Sequence, residues 1–509
     1  MVSLSLPSTD NPALHNKVET RPKAVAEWLA RLPFARPADA AQQLTITLYT
    51  LNRIALDEDA RRALLTLYRP VVARAAASLE ALLLDAGVPP LPQQRQAGTL
   101  LRELQVEYSI GCKHLVHALG ERRFGRSQIR HDAEVTAQFL AALHAIQFSC
   151  HLTYTPMPGG LWLDMHQTYR LAKANGMADR TLNDTGSADQ AYLQALLMEL
   201  ADPPHMSRAE LAHLRLYLGA FGPLAQLATH FPDAALHGFA IDTRHDRGPG
   251  TAAVPPNPHR LWLDTGTLCR HAHETAIRLR TGETPHRIGL PDGMESELSL
   301  TLTKRLYKLW RPGAQRAFKR YPGPGEGVDI VSGVSAIHHL LEHTPQTPFA
   351  APAAVNASRW TLNNDSASGL ALSSMPDTPL NLKVGDALAL RTGESARWSL
   401  AVIRWLKMPD ARRVELGVER LAPAIEPVWV RPLKGRRKAS SEPGLFVPGI
   451  PALGQAARLL LPSHLYQAGM EAEVRHRHRQ EQVALGRRAE FSASFDLISF
   501  TVLSKGPLP

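Results

Sequence analysis

Asn364-Asp365-Ser366-Ala367-Ser368-Gly369 reads as a turn between two predicted strands. Short polar residues ending in glycine give the backbone geometry and donors that a tight reversal needs. Short alternating runs surround it at 328–334, 370–373, 387–391, 398–405, 414–418 and 427–430, separated by Gly, Asp and Pro. Strands of this length with regular turn signals predict a small antiparallel barrel or sandwich beginning after Pro312. A polar basic stretch over 431–443 reads as a linker. Residues 444–509 are again β-rich, either a second small unit or an extension of the first.

Upstream the period changes. Leu44, Leu48 and Leu51, then Leu64, Leu65, Leu67 and Tyr68, recur at the three- and four-residue spacing of an amphipathic helix. Pro70 and the 89–92 proline cluster punctuate this pattern. Further helical segments are predicted near 94–122, 130–152, 162–175, 187–201, 208–230, 267–281 and 293–310. Ser207 with Glu210 forms a possible capping box. Residues 231–259 hold Gly248-Pro249-Gly250 and Pro255-Pro256 and read as a loop-rich break. The fold class is therefore α+β. It comprises a flexible start (1–23), a helical domain (24–310), a β-barrel with its preceding segment (311–430), the linker, and a β-rich end.

Bulk properties narrow the function. Of 57 Lys+Arg in 509 residues, 28 lie after residue 300 against 17 Asp+Glu, so the basic excess belongs to the C-terminal part. An anionic partner fits there, though a merely solvated basic face fits equally well. Cys112, Cys150 and Cys269 are widely spaced with no C-x-x-C, which suggests neither a disulfide framework nor a zinc site. No signal-peptide pattern and no long apolar run is present, and a cytoplasmic location is expected.

Arg316-Ala-Phe-Lys-Arg320 stands just before the β region. Two arginines four residues apart can project together, clamp phosphate oxygens and reach the acceptor edge of guanine. Asn364, Ser366 and the backbone at Gly369 offer donors for a phosphate or a base edge. Each element alone is common: most R-x-x-x-R sequences are solvated helix faces, and most N-x-S-x-x-G sequences are only turns. Their order, arginine pair before turn, is more telling.

That order resembles the PilZ domain family, small β-barrels in which an arginine-pair segment folds over cyclic di-GMP lying against a D/N-x-S-x-x-G loop. Val384-Gly385-Asp386 before a strand, the long 398–405 strand and Gly417-Val418-Glu419 are similar too. The resemblance covers about a quarter of the chain. It implies that Arg316 and Arg320 bind guanine and phosphate, with Asn364, Ser366 and Gly369 lining the other side. The gap between the motifs is longer than is usual in the family, with a Pro/Ala-rich insertion at 344–354. Asn364 stands where Asp is commoner, and nearby Arg311 leaves the register of the clamp open. No family resemblance is recognised for the helical region, 1–300.

Enzyme motifs are weaker. Leu261-Trp-Leu-Asp264-Thr265-Gly266 looks like one aspartic-protease signature, but such sites need two carboxylates. The flanks look helical, so Asp264 or Thr265 is better read as a helix N-cap. His271-Ala-His273-Glu274 lacks zincin spacing, and Arg475-His-Arg-His-Arg479 reads as a solvated strand or loop. His151, His166 and Tyr169 read as core or interface groups. No P-loop, Rossmann or nucleophile-elbow motif occurs. The expectation is a non-enzymatic cyclic di-GMP receptor in second-messenger signalling, with no cofactor or metal. A helical region would engage an unidentified protein partner. The family's outputs include motility, pili, biofilm and exopolysaccharide control. The alternatives are a nucleic-acid-binding protein using the basic C-terminal face, or a ligand-free barrel serving only protein contacts.

Overall fold

The computed structural model describes residues 6–9, 12–121, 129–181, 186–229, 238–250, 259–311, 321–323, 325–343, 357–366, 368–376, 380–392, 397–433, 440–451, 454–465, 469–476 and 479–506. The chain divides into two units, Met1–Ala86 with Pro90–Gln315, and Gly87–Pro89 with Arg316–Pro509.

The first unit is built from helices, among them Pro37–Leu51, Glu58–Leu84, Pro92–Glu121, Ile129–Leu152, Leu161–Ala174, Ala188–Leu200, Arg208–Phe221, Gly266–Arg280 and Ser296–Leu309. The apolar positions picked out by spacing, Leu44, Leu48, Leu64, Leu65 and Tyr68, are buried together in its core. Ser207 and Glu210 form the full capping box. Leu14 and Val18, assigned above to a flexible start, pack against the same core.

Some expectations are corrected here. Helix Glu58–Leu84 runs through Pro70, whose missing N–H costs less than the burial of the leucine stripe on either side recovers. Helix Arg208–Phe221 ends before 230. Beyond it lie three short strands, β1 (Gln226–Ala228), β2 (Gly238–Asp242) and β3 (Arg260–Asp264), in the order β1-β3-β2. The break at 231–259 therefore contains a strand, and Leu261-Trp-Leu-Asp264 is β rather than helical. Burial of Ile241 and Leu263 in the helical core overrides the glycine- and proline-rich surroundings. Asp264 Oδ1 accepts the Gly266 N–H at 2.8 Å, while the Thr265 hydroxyl donates to the Trp310 carbonyl at 2.7 Å. Thr265 stands at the N-cap position of helix Gly266–Arg280 without a side-chain cap bond, its hydroxyl tying the helix start to the end of helix Ser296–Leu309.

The second unit holds two barrels. The first comprises β4 (Tyr321–Pro322), β5 (Gly327–Ser332), β6 (Ser358–Asp365), β7 (Gly369–Ser374), β8 (Ala387–Thr392), β9 (Ser399–Lys407) and β10 (Val414–Ala422). The order is β4-β6-β5-β8-β9-β10-β7, and β7 returns to pair with β6, which closes the ring. The second barrel is closed by β11 (Glu426–Pro432), β12 (Glu442–Val447), β13 (Arg458–Pro462), β14 (Glu471–Arg475), β15 (Gln480–Phe491) and β16 (Phe495–Gly506), in the order β11-β12-β13-β16-β15-β14.

The run at 427–430 was read with the first barrel but belongs to the second. Val428 and Val430 pack inside it with Leu459, Leu461, Val474, Val483 and Ile498. Residues 431–443 are not an interdomain linker, because β11 pairs with β12 on either side of them. Their charged ends, Arg431 and Glu442, face outward on strands and hide the pairing from a hydrophobicity reading. A helix between β5 and β6, Val334–His343, presents Val334, Ile337 and Leu340 to one apolar cluster. Val331, Ala389 and Leu400 of the first barrel and Leu445, Leu460 and Phe495 of the second complete that cluster. The two barrels thus share a core.

Candidate ligand site

The N-x-S-x-x-G residues form the reversal between β6 and β7. Ser366 N–H donates to the Gly369 carbonyl at 2.9 Å, and the Ser366 hydroxyl donates to the same oxygen at 3.0 Å. Gly369 N–H in turn reaches the Ser366 oxygens, with Oγ at 3.2 Å. The serine therefore closes the turn as well as facing outward. Asn364 is half-buried at the end of β6, opposite Ala371 of β7.

Gly369 is required for a reason other than turn geometry. It is not among the glycines with positive φ. A Cβ there would stand 2.1 Å from the Val418 carbonyl oxygen, because β10 passes directly against it with Gly369 opposite Glu419. The glycine lets two backbones approach, and a side chain would push them apart.

Two residues missed in the sequence hold the turn. Arg420 Nη1 donates to Asp365 Oδ1 and to the Ser366 carbonyl, both at 2.9 Å, and Nη2 donates to Asp365 Oδ2 at 3.1 Å. The Arg420 backbone N–H donates to the Ser368 carbonyl at 2.9 Å. The only sequence signal was the acidic Asp365 inside the motif, whose partner lies on a strand distant in sequence. A second carboxylate network braces the far edge of β6. Asp329 bonds Arg359 at 2.8 Å and Arg391 at 2.9 Å. Burial alone would raise the Asp329 carboxyl, but the two guanidiniums outweigh it and leave it below its ordinary value.

Arg316 and Arg320 lie outside the described residues, as does the 344–354 insertion. Chain connectivity nonetheless limits the arginines. Tyr321 and Pro322 of β4 pair with Asp365 and Asn364. Arg320 immediately precedes Tyr321 in the sequence. Arg316 is four residues further back. Arg311, the alternative clamp residue, ends the helical unit, where its Nη1 donates to the Tyr307 hydroxyl at 3.0 Å.

The other candidates have structural employment. His166 is fully buried between the Tyr192 hydroxyl (2.6 Å) and the Arg247 carbonyl (3.0 Å), and Tyr169 donates to Asp189 at 2.8 Å. His151 faces Glu199 at 3.4 Å. His271 Nδ1 lies 2.7 Å from the Tyr217 hydroxyl. In the 475–479 run His476 is not solvated. It is buried edge-on to Phe446, with ring centroids 5.1 Å apart, because that face closes the second barrel. Among the described residues no group of three His, Cys, Asp or Glu could hold a metal ion. Among them, too, no helix is long and apolar enough to cross a membrane.

Comparison with known proteins bears on all three parts of the chain. Residues 23–233 match the family described as the cyclic-di-GMP receptor FimW N-terminal domain. Residues 342–427 match the middle PilZ domain of the same receptor, and residues 428–503 match its C-terminal β-barrel domain. A curated relative, the cyclic-di-GMP receptor FimW of Pseudomonas aeruginosa, is 25% identical over 95% of this chain and 90% of its own length. The boundary between the second and third matches falls within β11 at its second residue, where the structure passes from the first barrel to the second. The middle match contains Asn364, Ser366 and Gly369. Arg316 and Arg320 fall between the first two matches.

Proposed function

We propose that the chain is a receptor for cyclic di-GMP, a reading supported by the match of its first barrel to a PilZ domain and of its flanking parts to the other domains of the receptor FimW. The ligand lies on the outer face of the first barrel beside the β6–β7 turn. The observation that carries this reading is the pairing of Tyr321 with Asp365. It brings the chain leaving Arg320 alongside Asn364, so two motifs 44 residues apart in sequence serve one site. Arg316 and Arg320 clamp the phosphates and the acceptor edge of guanine. Asn364 and the turn closed by Ser366 and Gly369 supply the opposing donors.

No catalytic role is assigned to any of these groups. The arginine segment also lies where the chain passes from the helical unit into the barrels, at the Gln315–Arg316 boundary. Ligand contacts there would couple occupancy to the helical unit, which engages a protein partner in a cytoplasmic signalling pathway. Calorimetric titration of the full chain with cyclic di-GMP tests the reading. Micromolar or tighter binding is expected, and absence of heat from a demonstrably folded protein refutes it. Binding of DNA or RNA with a steep salt dependence, in place of the dinucleotide, would favour the basic-face alternative.

A further inference from the structure

Helix Glu58–Leu84 buries Leu64, Leu65 and Tyr68 in its first half and Leu79 and Leu83 near its end. Between them the side chains turned toward its neighbours shrink to Val72, Ala73 and Ala76. Helix Ile129–Leu152 does the same over Ala141, Ala142 and Ala145. Both helices pack on helix Pro92–Glu121. Residues three and four apart share one helix face, so each run of small side chains forms one wall. The walls carry too little volume to close on each other. A cavity of about 220 Å³ remains between them, floored by Gln105 and Tyr108 of Pro92–Glu121. Ala73 is exposed and marks its opening to solvent. The whole lining lies within the helical unit.

Protein interiors hold few voids larger than a water molecule, and an apolar cavity of about 150 Å³ takes up benzene. The present cavity has room for one or two fused rings. Its floor makes one polar demand. Gln105 is only 4% exposed, and its Oε1 has no hydrogen-bond partner among the described residues. The terminal amide torsion is soft and roughly two-fold, so the oxygen can turn toward the cavity. A buried acceptor of this kind is satisfied by a donor. Gln138, the other amide on the lining, already donates to Glu134 Oε1 at 3.1 Å. Charge is disfavoured at the floor. Burial pushes the Tyr108 phenol up, and one turn further on it pushes the Cys112 thiol up to about 12, so both stay protonated. Arg69, also on the lining, repels a basic occupant.

We propose that this cavity is a second ligand site, one that takes a neutral aromatic molecule of one or two rings carrying a single N–H or O–H donor. The rings fill the space between the alanine walls. The donor meets the Gln105 carbonyl oxygen. The site is independent of the dinucleotide site on the first barrel.

The test is a ligand-observed saturation-transfer titration of the full chain, with indole as probe and benzofuran, its isostere without the N–H, as control. Both should bind, indole about three- to tenfold more tightly, the ratio that one hydrogen bond gives. Gln105→Leu should erase that preference while benzofuran still binds. Ala142→Leu, which fills the cavity, should abolish binding of both. If the folded parent transfers no saturation to indole, or if Ala142→Leu binds indole unchanged, the proposal is overturned. Should Ala142→Leu fail to fold, Gln105→Leu decides: a preference for indole that survives in it overturns the proposal, and one that vanishes supports it.

Discussion

Arg420 grips Asp365 through both carboxylate oxygens, at 2.9 and 3.1 Å, and with the same guanidinium holds the Ser366 carbonyl. The pair ties β10 to the first residues of the ligand turn. Both side chains are well exposed to solvent, at 37% and 43%. The ion pair itself is therefore worth only about 0–1 kcal/mol. Arg420→Ala should leave the thermal midpoint within a few degrees of the parent. It should nevertheless loosen the turn and lower cyclic di-GMP affinity about three- to tenfold. Arg420→Lys should rescue little, because an ammonium cannot make the forked contact. Parent-like affinity in the alanine variant would show that the turn holds without its brace.

Gly369→Ala meets a different obstacle. The added methyl group faces the Val418 carbonyl at 2.1 Å, a backbone atom that cannot swing away. Strands β7 and β10 must separate, at a cost of about 1–3 kcal/mol. Urea unfolding should report that loss, and ligand affinity should fall with it. An alanine variant as stable as the parent would mean that the two strands tolerate more separation than their pairing suggests.

Much of the second unit was legible because its strands alternate. Residues 328–334, 370–373, 387–391, 398–405 and 414–418 each overlap an observed strand of the first barrel. What sequence could not supply was partnership. Nothing local says that Val428 and Val430 turn into a second core, or that Arg431 and Glu442 flank a hairpin, because the core partners of Val428 extend to Ile498, 70 positions away. Strand β6 itself was missed. It follows the Pro/Ala-rich insertion, and its outward residues Arg359, Thr361 and Asn363 mask the inward Trp360 and Leu362. The N-x-S-x-x-G turn was found, but the reason for its glycine was misread. A steric demand from Val418 leaves no trace near position 369.

The helical unit should be sensitive to mild acid. Burial pushes the His166 imidazole down to about 4 from an ordinary 6.5, despite the compensating bond to the Arg247 carbonyl, and burial likewise holds His144 near 4. A depressed folded-state value means that the unfolded chain takes up the proton first. The associated stability is complete above pH 6.5 and is lost as pH falls toward 4. Each buried histidine accounts for on the order of 2–3 kcal/mol across that window. Calorimetric melting of the parent and of His166→Gln between pH 7 and 4 measures it. The variant should be less stable at pH 7 and should show a shallower decline. Parallel declines would remove His166 from the explanation.

The arginine pair offers the most direct test of the site. Arg316→Ala and Arg320→Ala should each cut cyclic di-GMP affinity roughly ten- to a hundredfold, since a charge-assisted contact to the dianionic ligand contributes about 1.5–3 kcal/mol. Arg320 precedes Tyr321, which is well exposed on a two-residue edge strand. The thermal midpoint should accordingly stay close to that of the parent. Lysine at either position should bind poorly despite keeping its charge, because it lacks the planar fork that spans two phosphate oxygens or the guanine edge. Higher salt should weaken the parent more than either alanine variant, which has one fewer cation to screen. If both alanine variants bind like the parent, the clamp lies elsewhere. Arg311 is then the next residue to replace, and loss of binding in Arg311→Ala alone would move the register of the clamp five residues toward the helical unit.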